Sequence, residues 1–300
     1  MKKVIVLIAL FAILLAGAVS AQDVYVGMYI LNLGKFDVAT GSFTADFYLS
    51  MKCPDECAST NFANFEFMNG RAASTDKIID TPNEKFYRIQ ANLNSPVDLK
   101  RFPFDTQQMQ IIIEDKENPI DKIKYVPMKT DTGIDKSIAF TGWDINGWKA
   151  SMNEHEYPVY DEVYSQYIFS VDISRIRINA FIKTFLPVIF IVLIVLFTFL
   201  MDPDKIVNRI TLLSSSFIAV VMFHVSISNQ IPPVGYLTFA DKFMVLTYFV
   251  LLVSFVINVI LLELLERKKL ELLEKVHRAT EYSMFVLVPL LYVNLFAVLM

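Results

Sequence analysis

Four apolar runs, at 184–201, 210–230, 243–262 and 282–300, dominate the second half of this 300-residue chain. Each approaches the roughly 20 residues that a helix needs to cross a bilayer core. Backbone groups in lipid have no water to bond, so such runs predict membrane helices. With their flanks they predict helices near 179–201, 203–230, 239–265 and 281–300, with a short linker at 266–280. Residues 22–175 read instead as a separate polar half.

Charge sets the orientation. The linker "ERKKLELLEKVHRATE" holds five Lys or Arg, "DPDKIVNR" holds two, and "SNQIPPVGYLTFA" holds none. Positive loops stay in the cytoplasm, which puts the polar half and the C-terminus outside a cell membrane, extracellular or periplasmic. The opening "MKKVIVLIALFAILLAGAVSAQ" pairs two lysines with an apolar stretch and small residues, Val19 and Ala21, before Gln22. That is the pattern of a signal peptide over 1–21.

The polar half reads as short alternating strands: "YVGMYILNL", "SFTADFYLSM", "KFYRIQANL", "QMQIIIE", "GWKASM" and "YSQYIFSVDISRI", separated by turn residues. Many strands and no amphipathic helix predict an antiparallel β-sandwich. Cys53 and Cys57 in "CPDEC" can close a small disulfide, but without a nearby histidine they fall short of a metal site. No hydrolase elbow, zinc-protease helix or phosphate loop is present, the three histidines are scattered, and there is no polybasic patch for nucleic acid. An enzyme is not expected, nor is a cofactor.

The segment "SPVDLKRFPFDTQQM", residues 95–109, resembles the loop that names the Cys-loop receptors, the pentameric ligand-gated ion channel superfamily. Animal members close that loop with two cysteines; here Ser95 and Met109 hold the two places, as in the prokaryotic branch. "FTGWDI" at 140–145, "VDISRI" followed by Pro187, and four spans in the family's number and order extend the resemblance over nearly the whole chain. It implies a homopentamer around a central pore, with the loop pressing on the membrane half. Phe102, Pro103 and Phe104 would form the contact, and Asp105 would pair with Arg175, with Asp37 as the third member. Pro232, between the second and third spans, completes the coupling set.

In the second span Thr211, Ser215, Ile218, Met222, Val225 and Asn229 fall within about 40° of one line at 100° per residue. A polar stripe in an apolar helix marks either a lumen or a helix contact. With the five copies the resemblance implies, it gives polar rings below an apolar girdle. Ile218, Met222 and Val225 are then the gate. Val207, and Asp204 if the helix runs back unbroken from "DPDK", extend the same line toward the cytoplasm. Asp202 reads as the helix cap and Pro203 as its first residue. An Asp204 ring predicts weak cation selectivity for the permeating ions. His224 lies beside the stripe, facing a neighbouring helix, where its protonation could bear on gating.

Agonists of the family bind between subunits in an aromatic box. Here its tryptophan-and-proline loop is replaced by "NFANFEFMNG", with Asn61 and Ala63 at the expected places. Phe65, Tyr157, Tyr160 and Tyr164 are the ligand-binding candidates, for an unidentified small molecule or a proton. Glu154, Glu156, Asp161 and Glu162 in the same hairpin are candidates for calcium modulation. Membrane lipid is the other expected partner, touched by the basic linker. The competing expectation is an anchored extracellular binding domain with no conducting pore.

Overall fold

The computed structural model describes residues 21–54, 57 and 61–299, so the signal-peptide expectation, apart from Ala21, lies outside the described residues. Strand β1 (Gln22–Leu33) buries Val24, Val26, Met28 and Ile30 completely, and β2 (Ser42–Lys52) does the same with Phe47, Leu49 and Met51. Alternate side chains leave a strand on opposite faces, so each strand gives one row to a core. Strands β5 (Glu84–Asn94), β6 (Thr106–Asp115) and β10 (Glu162–Arg175) add Ile89, Ile111, Ile113, Phe169 and Val171 to the same apolar cluster.

These rows lie between two sheets. One has the order β4-β5-β2-β1-β7, with β8 also on β1; the other has β3-β6-β10-β9. The remaining strands are β3 (Phe65–Phe67), β4 (Gly70–Asp80), β7 (Ile123–Pro127), β8 (Gly133–Ile134) and β9 (Trp143–Tyr157). The sandwich is mainly antiparallel, but β7 and β8 both pair with β1 in parallel, which corrects the all-antiparallel expectation. Cys53 and Cys57 are joined by a disulfide at the end of β2.

Five helices follow: α1 (Arg177–Thr184), α2 (Leu186–Thr198), α3 (Ile206–Ser228), α4 (Phe239–Glu266) and α5 (Leu270–Leu299). Among the described residues the last three are long and apolar enough to cross a membrane. The first two are bent by 45° at Phe185, just before Pro187, and make a fourth span if they are counted as one. A proline near a helix start is tolerated because its missing N–H has no partner there in any case. The expected linker at 266–280 shrinks to the turn at 267–269. Glu271–Lys275 and Glu274–Arg278 pairs, each one helical turn apart, carry α5 back to Leu270.

Candidate functional site

The loop between β5 and β6 leaves the sandwich and enters the helices. Leu99 and Phe102 are buried in the core of the helical half, not that of the sandwich. Phe104 stacks on Phe185 at 5.6 Å and meets Phe239 at 5.9 Å. Pro103 follows a cis peptide bond and is buried. The loop's backbone is engaged as well: Phe239 N–H donates to the Lys100 carbonyl at 2.9 Å and Ala240 N–H to the Phe102 carbonyl at 3.0 Å. The first N–H groups of a helix have no partner within it, so the loop caps α4. Tyr236 adds its hydroxyl as acceptor for the Leu99 N–H at 2.9 Å.

At the loop's end the structure brings Asp105 and Arg175 together. Arg175 Nε donates to Asp105 Oδ1 at 2.6 Å, and the guanidinium lies 5.1 Å from the Phe102 ring and 4.5 Å from the Trp143 ring. Gln107 Nε2 donates to the second carboxylate oxygen at 2.7 Å. The expectation that Asp37 joins this group is corrected. Asp37 is exposed, and its carboxylate accepts from Ala39 N–H and Thr40 Oγ1 in its own turn, the local bond that short carboxylates favour. The first hairpin reaches the group by another residue: Phe36 packs edge-on against Trp143 at 5.9 Å. Gly41 ties that hairpin to the loop through its carbonyl, which accepts from Ser95 N–H. Its φ is +71°, and an added Cβ would stand 2.1 Å from the Ser95 carbonyl oxygen. Pro232 is half-buried in the α3–α4 connection, where Tyr236 makes the contact with the loop.

Helix α3 turns Leu213, Ser216, Val220 and Ile227 inward. Its opposite face carries Val207, Thr211, Ser215, Ile218, Met222 and Val225, all exposed, with Asn229 exposed just past the end. Thr211 and Ser215 hydroxyls donate to the carbonyls of Val207 and Thr211, both at 3.0 Å. The helix does not run back to Asp204. A 3-10 turn at Pro203–Lys205 precedes it, Asp202 makes no side-chain cap, and Lys205 interrupts the helical dihedrals, so Asp204 does not follow from 100° spacing. His224 does face a neighbour, with Nδ1 2.9 Å from the Tyr248 hydroxyl and Nε2 3.5 Å from Asp241, both on α4.

Under the β9–β10 hairpin lies a recess of about 270 Å³, in which Tyr157, Tyr160 and Tyr164 meet four carboxylates, Glu66, Glu114, Asp115 and Glu162, and one cation, Lys116. The Tyr157 and Tyr164 rings are edge-to-face at 5.6 Å. Glu114 is buried and accepts from Tyr157 Oη and Gln166 Nε2, each at 2.9 Å, with His155 Nδ1 also at 2.9 Å. Burial first, then the Glu114 bond, pushes the Tyr157 phenol up to about 12. Asp115 accepts three bonds on Oδ1 from Glu117 and Asn118, while its buried Oδ2 has no partner among the described residues. Burial raises the Asp115 carboxyl above its ordinary range despite those bonds. Phe65 stands apart, packed on Phe67 and Tyr87 in a neighbouring recess of about 730 Å³. Glu154 and Glu156 lie along β9 and Asp161 in the tip, and among the described residues no three His, Cys, Asp or Glu are gathered as a metal site.

No family model matches the chain. Three curated relatives do. A proton-gated ion channel of Gloeobacter violaceus is 25% identical over 190 residues, 62% of this chain and 52% of the relative. Ligand-gated ion channel 50 of Caenorhabditis elegans is 22% identical over 228 residues, 75% and 45% respectively. The serotonin-gated chloride channel mod-1 of the same organism is 24% identical over 160 residues, 53% and 32% respectively. All three are named as ion channels, and the likeness supports the resemblance to the pentameric ligand-gated ion channel superfamily. The chain spans about half the length of these relatives or less.

The 95–109 loop that carries the resemblance is closed by a hydrogen bond: Ser95 Oγ accepts from Gln110 N–H at 2.8 Å. The start of α3 turns Ile206 and Arg209 inward, away from the exposed stripe. Arg209 is fully buried there, with its guanidinium 5.2 Å from the Phe199 ring and 3.5 Å from His277 Nδ1. Sequence reading missed Tyr236, Trp143, Glu114 and Asp241 as members of these sites. The usable signal was in Thr238 and Asp241, spaced as a capping box.

Proposed function

We propose that the chain is one subunit of a homopentameric ligand-gated ion channel in a cell membrane, with the β-sandwich and the C-terminus outside. The single observation that carries this reading is the face of α3 left bare by its own bundle. A helix packed from Leu213 to Ile227 on one side presents Val207, Thr211, Ser215, Ile218, Met222, Val225 and Asn229 on the other. Five copies would enclose a lumen with hydroxyl rings below and a girdle of Ile218, Met222 and Val225 above, narrow enough to close by excluding water.

The recess under the β9–β10 hairpin suits a cationic opener, because carboxylates and tyrosine faces both attract positive charge. A proton-gated and a serotonin-gated channel are among the relatives. Selectivity does not follow from the superfamily, since one relative is named a chloride channel. Weak cation selectivity requires Asp204 to face the lumen from the 3-10 turn before α3 rather than from the helix itself, and reversal potentials that track chloride in dilution gradients would refute it. Calcium acting at Glu154, Glu156, Asp161 and Glu162 is a separate proposal. It fails if millimolar Ca²⁺ changes neither current nor melting.

A second reading, an anchored binding domain without conduction, is favoured by the stripe hydroxyls bonding back to their own helix, as in packed helices. Electrical recording of the reconstituted chain and of Ser215→Leu separates the two. A channel loses conductance with leucine at that ring; a silent anchor tolerates it.

A further inference from the structure

The carboxylate of Asp241 is divided between two tasks. Oδ2 accepts from Thr238 N–H and from Thr238 Oγ1, both at 2.8 Å, and Asp241 N–H donates to Thr238 Oγ1 at 3.1 Å. This box closes the start of α4, and Thr238 is fully buried within it. The next two N–H groups, those of Phe239 and Ala240, are taken by the Lys100 and Phe102 carbonyls of the extracellular loop. Oδ1 of the same carboxylate faces the other way, toward His224 Nε2 on the pore-facing helix at 3.5 Å.

We propose that Asp241 is a positioning residue that joins the extracellular loop to the pore-facing helix, with His224 as its counterpart one residue before Val225. The imidazole is held by two groups of α4, Tyr248 at Nδ1 and Asp241 at Nε2, which is a two-point grip on the upper half of α3. Its bond to Tyr248 is short, whereas the one to Asp241 is at the long limit of a hydrogen bond. The loose end is therefore the one that makes and breaks when the cap of α4 moves under the loop. Of the neighbouring helices, α2 carries no titratable side chain, and Lys242 turns about 100° away from the α4 face that holds Asp241 and Tyr248. Aromatic packing of Phe104 on Phe185 and Phe239 transmits force through bulk. The shared carboxylate adds a directional link that one polar atom can cut.

The consequence for gating rests on the channel reading; the link itself does not, and hydrogen exchange tests it without any current. In the full chain in lipid nanodiscs, His224→Phe keeps the ring against Tyr248 but removes the donor to Asp241. We expect amide exchange at 239–240 and at 99–104 to rise about tenfold. His224→Gln, which restores an N–H donor, is expected to return it toward the parent value. Combining His224→Phe with Asp241→Asn should add nothing beyond the larger single effect. Unchanged exchange in His224→Phe, an equal rise throughout the sandwich, no rescue by glutamine, or simple additivity would each overturn the link. In planar bilayers the same His224→Phe protein is expected to show altered open times. If the parent conducts and open times do not change, the link plays no part in gating; if no protein conducts, the channel reading falls while the exchange result stands.

Discussion

Arg175 donates to Asp105 across 2.6 Å at the point where β10 gives way to the first helix, and it does so with its guanidinium between the rings of Phe102 and Trp143. The carboxylate is buried and the arginine mostly so. Removing one partner strands the other's charge. Asp105→Ala is expected to cost roughly 3–5 kcal/mol, read as a lower unfolding midpoint of the detergent-solubilised chain, and Arg175→Lys should fall between, since an ammonium cannot match the planar contact with both rings.

Phe102 belongs to the helical core although the strands on either side of its loop, β5 and β6, belong to the sandwich. Phe102→Ala should therefore weaken the attachment of the two halves by roughly 3–5 kcal/mol while leaving the sandwich itself folded. Limited proteolysis checks this: cleavage within 95–105 should accelerate, and the sandwich fragment should persist. Loss of the sandwich at the same rate would show that the loop serves its own domain.

Ile218 sits in the middle of the bare face of α3. On the proposed channel reading, Ile218→Ala shortens the girdle and should raise the resting current in bilayer recordings at least severalfold, because water re-enters a widened apolar constriction more easily. An unchanged resting current would move the gate elsewhere along the stripe.

The Asp115 carboxyl is raised above its ordinary value of 3.8, by burial first. The folded state thus holds this proton more tightly than the unfolded chain does. Its contribution to stability is complete below that ordinary value and is lost as pH rises through the folded one. Asp115→Asn should flatten the pH dependence of melting above pH 4 and raise the midpoint at neutral pH. If the recess takes a cation, the same variant should weaken binding of tetramethylammonium by about tenfold, measured by calorimetry.

Much of this organisation is legible in the sequence because its elements announce themselves by period. β1 alternates over a buried face, and the stripe on α3 returns every three or four residues. β4 is not legible: "GRAASTDKIID" is almost wholly exposed and pairs with β5 across two bulges. The parallel pairing of β7 is a matter of long-range register, which no local pattern encodes. The Asp105–Arg175 pair came from the resemblance to a channel superfamily, whereas Asp37 satisfies its carboxylate within its own turn, which the resemblance did not convey. His224 and Asp241 are 17 residues apart, and only the packing of two helices makes them neighbours.

The hydrogen bond from Gln110 to Ser95 is a slight fastening for a loop of this size. A covalent cross-link over about 15 residues restricts the unfolded chain by about 3 kcal/mol, while one hydrogen bond contributes about 1 kcal/mol. The difference must come from where Leu99 and Phe102 are seated, among the helices. In a chain that emerges with its sandwich first, the loop then takes its final shape only once the later membrane segments have arrived. On this arrangement its closure waits for the helices, needs no oxidant, and marks a chain whose two halves have both been completed.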